Sequence, residues 1–196
     1  MATPKSQRIG ILIIAAVMLV GTLGSFAIMI LAGENAKTDM AEQNKLLEEY
    51  QKQMEEEQKK ADELSATYYP QFKPYQDDPA AFDAATVGDK VTTKDLVVGT
   101  GKDITEGVTY KAYYIGWNPK GKSFDGSFDG EKLKAPLDTS QISLIPGWGE
   151  GVIGMKEGGV REITIPSDKA YGETGQGDDI PPNTPIKFIV MIISAN

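Results

Sequence analysis

The sequence predicts an α+β fold over residues 89–196, an antiparallel sheet packed on one short helix. Three observations predict it. Short strand-like stretches are punctuated by glycines, residues 186–193 (IKFIVMII) are nearly all apolar as a central strand is, and residues 148–155 (WGEGVIGM) suit a single short helix. Val108, Tyr110, Ala112 and Tyr114 alternate with Thr109, Lys111, Tyr113 and Ile115, the pattern of a half-buried strand. Residues 159–166 (GVREITIP) read as another strand.

Three segments are expected ahead of that domain. After a tail over residues 1–8, residues 9–32 run for 24 positions without a charge. As a helix that run is about 36 Å long, enough to cross a hydrocarbon core of about 30 Å. A cleavable signal peptide has a shorter apolar region and small residues at −3 and −1. Cleavage after Ala32 would put Ile30 at −3, and cleavage after Ala36 would put Glu34 there. An uncleaved anchor is therefore expected. Lys5 and Arg8 precede it in a tail without acids, while Lys37 and Lys45 follow it. That balance favours a cytoplasmic N-terminus, a single pass through the cell membrane and an extracytoplasmic domain.

Residues 33–66 read as a charged helical spacer. From residue 36 onward it has no Gly or Pro, and Glu48/Lys52, Glu55/Lys59 and Glu56/Lys60 are favourable i,i+4 pairs. Met40, Leu47, Met54 and Ala61 repeat every seven residues, with Tyr50 and Leu64 at companion positions. Gln43 and Glu57 interrupt that second row, so a solvated single helix is expected over a weak coiled-coil dimer. Residues 67–88 form a Pro/aromatic linker in which Pro70, Pro74 and Pro79 are expected to break any helix. Its Tyr68, Tyr69, Phe72, Tyr75 and Phe82 are expected to pack on the domain that follows, with partner binding as the alternative.

Composition excludes several chemistries. The chain has no cysteine and no histidine, which removes thiolate metal sites, Cys nucleophiles and Ser-His-Asp catalysis. A net charge of −8 argues against nucleic acid as a partner. None of the Gly-rich pieces has the P-loop pattern or the dinucleotide-binding context. Asp178 and Asp179 are read as solvated loop carboxylates, so neither a metal site nor a cofactor is expected.

Five pieces in order carry a resemblance. They are Tyr114-Ile115-Gly116, residues 121–125 (GKSFD), residues 144–152 (LIPGWGEGV), residues 154–159 (GMKEGG), and Ala170-Tyr171-Gly172 through Ile180-Pro181-Pro182-Asn183. Together they resemble the FKBP-type peptidyl-prolyl isomerases, immunophilins that bind macrolides such as tacrolimus and rapamycin. The resemblance covers residues 89–196 and nothing before them. It implies a half-open antiparallel sheet wrapped round the short helix, with a shallow apolar pocket between them. By motif position, Tyr114, Phe124, Asp125, Ile145, Trp148 and Tyr171 would carry catalysis, with Leu144, Ile180 and Phe188 binding substrate. Trp148 would floor the pocket beneath the proline ring. The Ile145 N–H and the Tyr171 hydroxyl would donate to substrate carbonyls, and Asp125 would orient Tyr114.

Amide rotation suits such a list. The barrier of about 18–20 kcal/mol arises because resonance is lost at the twisted state, and X–Pro bonds cross it unaided in tens to hundreds of seconds. A twisted amide has less charge separation than a planar one, so an apolar, water-poor pocket favours it. No nucleophile is needed. The sequence departs from the family pattern at Ala135, where an aromatic is usual, and at Gln176 in the flap. It also lacks the arginine that commonly buttresses the pocket aspartate. Lys132 or Lys134 could stand in for that arginine, and Phe128 could refill the aromatic volume. These departures bear on macrolide binding more than on isomerisation.

The expectation is a membrane-anchored prolyl isomerase acting on proline-containing segments of exported or envelope proteins. A noncatalytic chaperone module on a stalk is the alternative. In a third reading Tyr69-Pro70 or Lys73-Pro74 occupies the pocket as a built-in ligand.

Overall fold

The computed structural model describes residues 40–196. The span expected over residues 9–32 lies outside the described residues, and among those described no helix is long and apolar enough to cross a membrane. Helix α1, Met40–Phe72, comes first, followed by β1 (Thr92–Val97), β2 (Tyr110–Trp117), β3 (Ser123–Gly126), β4 (Phe128–Asp129), β5 (Lys132–Leu133) and β6 (Leu137–Asp138). Helix α2 (Pro146–Val152), β7 (Val160–Ile165) and β8 (Ile186–Ala195) complete the chain. The main sheet runs β1-β7-β8-β2-β3 with β6 also paired to β2, and every pairing is antiparallel. Strands β4 and β5 form a separate ribbon. The short helix lies against the sheet, as the α+β reading expects.

Two boundaries move for identifiable reasons. Strand β2 begins at Tyr110 rather than Val108, because the Val108 N–H closes a turn on the Thr105 carbonyl with Gly107 at φ +80°. Helix α2 begins at Pro146, where a missing N–H costs nothing, and is over before Gly154, whose φ of +79° is left-handed. At its C-terminal end the buried Arg161 of β7 donates from one guanidinium nitrogen to the Gly151 and Ile153 carbonyls, at 3.0 and 2.9 Å. The rest of that guanidinium grips both oxygens of Asp95 on β1. The helix is thereby clamped to the sheet through carbonyls its own ladder leaves open.

The expectation that the helix stops at residue 66 is corrected. It continues to Phe72 with Pro70 inside it. Pro70 sits in the last turn, so its absent N–H removes a single bond, to the Ala66 carbonyl. Packing compensates: Phe72 is fully buried, and Tyr68, Tyr69, Tyr75 and Phe82 join it against the outer face of the sheet. Ser65 Oγ accepts the Leu133 N–H at 2.8 Å, fixing the helix to β5.

This docking also corrects the half-buried reading of β2. Tyr110, Ala112 and Tyr114 face α2, while Tyr113, Ile115 and Trp117, on the other face, are buried as well. The end of α1 covers the side that the alternation assigned to solvent. Residues 69–74 therefore lie on the outer face, with the sheet between them and the α2 side, and the built-in-ligand reading is overturned.

Candidate functional site

Strand β2 and helix α2 enclose an aromatic cluster on the inner face, the site to which the family resemblance points. Trp148 is 1% exposed, and its Nε1–H donates to the Tyr110 hydroxyl at 2.8 Å. Phe188 meets that indole edge-on, with ring centroids 4.9 Å apart, and Tyr114 does so at 5.5 Å. Phe124 stands edge-on to Phe188 at 5.6 Å. Edge-to-face packing of this kind fixes each ring by its neighbours. Ile180 is buried in the same cluster, while Leu144, Ile145 and Tyr171 are half-buried around it.

One charge joins the apolar set. The Tyr114 hydroxyl donates to Asp125 Oδ2 at 2.9 Å, and the Gly126 N–H donates to Oδ1 at 2.7 Å. Burial, reinforced by the Asp125 carboxylate, holds the Tyr114 hydroxyl far above the usual tyrosine range. The Tyr171 hydroxyl is raised by burial and then by the same carboxylate. Both hydroxyls remain protonated donors across physiological pH. Ile145 is the N-cap residue of α2, in extended backbone geometry, at the helix end where N–H groups are left over.

The structure gathers all nine sequence-predicted residues around one aromatic cluster, eight in its packing and Asp125 through its bond to Tyr114. Two further contributors were missed. Tyr110 holds the floor indole from a position 38 residues away in sequence, and only the period-2 face of β2 could have hinted at it. Gly116 lets Phe188 and Phe124 close over the strand, since a Cβ there would lie 2.3 Å from Phe188 Cε1.

The expected stand-ins do not act as such. Lys134 Nζ donates to the Gly126 carbonyl at 3.0 Å, Lys132 is exposed, and neither pairs with Asp125 among the described residues. Phe128 stacks on Phe72 at 5.2 Å on the outer face, so it does not refill the cleft. Ala135 is exposed. Among the described residues no group of three or more acidic side chains is placed to hold a metal ion.

An aromatic cluster packed between sheet and helix, with one carboxylate and the Tyr171 hydroxyl at its edge, defines the class: a small α+β domain with its aromatic side chains gathered on the inner face of the sheet. Comparison with known proteins places that domain. The model of the FKBP-type peptidyl-prolyl cis-trans isomerase family matches residues 101–193. An FK506-binding protein of Neisseria meningitidis serogroup A is 42% identical over 101 residues, 51% of this chain and 91% of the relative. A probable FK506-binding protein of Corynebacterium glutamicum is 40% identical over 103 residues, 52% of this chain and 83% of the relative. The crystal structure of a peptidyl-prolyl cis-trans isomerase from Pseudomonas syringae pv. tomato is similar with a TM-score of 0.47 and 27% identity, covering 70% of this chain and 95% of that one. The chain belongs to the FKBP-type peptidyl-prolyl cis-trans isomerase family.

Proposed function

We propose that the chain is a membrane-anchored isomerase that rotates X–Pro bonds in exported or envelope polypeptides, with residues 9–32 as the anchor and the catalytic domain outside the cytoplasm. The observation that carries the catalytic part is the aromatic cluster: Trp148, Phe188 and Tyr114 packed on one another, with Tyr171 against the cluster and Asp125 bonded to Tyr114. The substrate proline ring rests on Trp148 between Phe124, Phe188 and Ile180. The Ile145 N–H and the Tyr171 hydroxyl hold the flanking carbonyls, and the Asp125–Tyr114 bond keeps the polar wall in register. Rotation then proceeds because the walls exclude water and favour the less polar twisted amide, while the donors fix the geometry. No proton is transferred.

The relatives are named for binding FK506, and a macrolide is a ligand of this cleft in the same reading. Exposed Ala135 and an Asp125 with no cationic partner among the described residues support weaker macrolide binding than a fully walled pocket would give.

The test is a protease-coupled or NMR-exchange assay on the full chain in detergent, with Leu-Pro and Phe-Pro peptides. Asp125→Val and Trp148→Phe are expected to lower kcat/KM by about tenfold or more, the loss of one or two well-placed contacts. A folded chain that gives no acceleration, yet suppresses aggregation of an unfolded client, would replace this reading with the chaperone module. Protease accessibility of residues 89–196 on intact cells checks the orientation.

A further inference from the structure

The connection between β2 and β3 contains a buried polar side chain that the cleft chemistry does not use. Asn118 is 4% exposed, and its amide is engaged at both ends. Oδ1 accepts the backbone N–H groups of Lys120 and Lys122 at 3.0 and 3.1 Å, and Nδ2 donates to the Asp179 carbonyl at 2.8 Å. Two donors converging on one end of the amide identify it as the oxygen, so the nitrogen must face Asp179. The main chain closes the same turn, from the Asn118 N–H to the Lys122 carbonyl at 3.0 Å and from the Gly121 N–H to the Asn118 carbonyl at 2.9 Å.

These bonds join two walls of the cleft. The turn leads directly into Phe124 and Asp125 on β3. Asp179 directly precedes Ile180, in a loop over residues 172–183 that starts beside Tyr171. That loop contains glycines at φ +55°, +68° and +60°, at positions 172, 175 and 177, and is otherwise closed by backbone bonds between Gln176 and Ile180 and from Asn183 to Gly172. An ion pair from Lys122 to Asp179 Oδ1 links the same two segments at 2.5 Å, but it is solvent-exposed and screened. Asn118 is the buried connection. Its turn is braced from behind: the Phe82 N–H donates to the Pro119 carbonyl at 3.0 Å, and Trp117 Nε1–H donates to the Ala80 carbonyl at 3.1 Å.

We propose that Asn118 is a positioning residue for the isomerase cleft, holding the loop over residues 172–183 at a fixed separation from Phe124 and Asp125. The inference rests on the cleft reading above. The loop reaches substrate through Ile180 at the proline ring, which keeps its shape as the amide twists, so its loosening falls on KM rather than kcat.

The decisive variant is Asn118→Ser in the full chain. A serine hydroxyl still accepts a backbone N–H two residues on, preserving the turn, but is too short to reach Asp179. The expected result is a rise in KM of about fivefold, the loss of one buried hydrogen bond, with kcat held. Amide hydrogen exchange at Gln176 and Ile180 quickens in the same variant. Asn118→Asp, which keeps the oxygen that accepts both N–H groups and turns a second oxygen toward the Asp179 carbonyl, gives the same pattern and decides the matter if the serine variant does not fold. Lys122→Met, which removes only the exposed ion pair, stays near wild type in KM. Wild-type KM in the Asn118 variants, unchanged exchange at Ile180, or an equal loss in Lys122→Met would each overturn the proposal. Asp125→Val run alongside separates the two readings: if it too leaves activity intact, the cleft assignment has failed rather than the role of Asn118.

Discussion

Gly116 is a residue at which the aromatic cluster tolerates little. An added Cβ would stand 2.3 Å from Phe188 Cε1 and 2.9 Å from Phe124 Cζ. Phe188 cannot withdraw, because it is 1% exposed and wedged edge-on against Trp148. Gly116→Ala is therefore expected to drive Phe124 outward, lowering kcat/KM about tenfold and stability by about 1–3 kcal/mol. A peptide assay and a urea melt on the same preparation check both figures, and wild-type values in both would show that the rings yield freely. At this scale Trp148, Asp125 and Tyr171 were legible through the family resemblance, because five motifs in order carry it and these residues stand in them. Tyr110 and Gly116 were not legible, since their roles depend on rings contributed by other elements, Trp148 from α2 and Phe188 and Phe124 from β8 and β3.

At the scale of the element, α1 is the clearest departure from local expectation. Pro70 argues for a break, and the helix passes through it because Phe72 gains more by burial than one backbone bond is worth. Phe72 stacks on Phe128 at 5.2 Å and lies against Tyr113 and Tyr75. Phe72→Ala is expected to cost about 3–5 kcal/mol, the usual range for emptying a buried phenylalanine site. Its kcat/KM stays near wild type under native conditions, because the helix packs on the face opposite the cleft. Urea melts read the first effect and the peptide assay the second. A loss of activity without a loss of stability would mean that the two faces are coupled. Linker proline counts cannot foresee this, since the compensating surface lies on β2, β5 and β8.

For the whole molecule, two buried tyrosines tie stability to alkaline pH. Burial pushes the Tyr110 hydroxyl up to about 12, partly offset by the hydrogen bond from Trp148, and pushes the Tyr113 hydroxyl up to about 12 as well, reinforced by Tyr68. The unfolded chain loses these protons near the ordinary value of 10.0, so the folded state binds more protons between that pH and about 12. Below pH 10 the two hydroxyls leave stability untouched. As pH rises from there through about 12 the folded state loses up to about 3 kcal/mol per group, because ionising a buried phenol costs more than ionising an exposed one. Thermal midpoints are accordingly expected to be steady near pH 8 and to fall steeply above pH 10. A flat profile to pH 12 would show that neither hydroxyl is sequestered.

What the sequence by itself determined was the α+β class and the short helix, written locally in strand alternation and glycine positions, while the family resemblance pointed to the residues that gather around Trp148. Tertiary structure alone decided that β2 is buried on both faces, that α1 runs past Pro70, and that Asn118 reaches Asp179. The physical reason is common to all three. Burial and buried hydrogen bonds depend on which distant surface arrives, and a local pattern records only the side chain that awaits it.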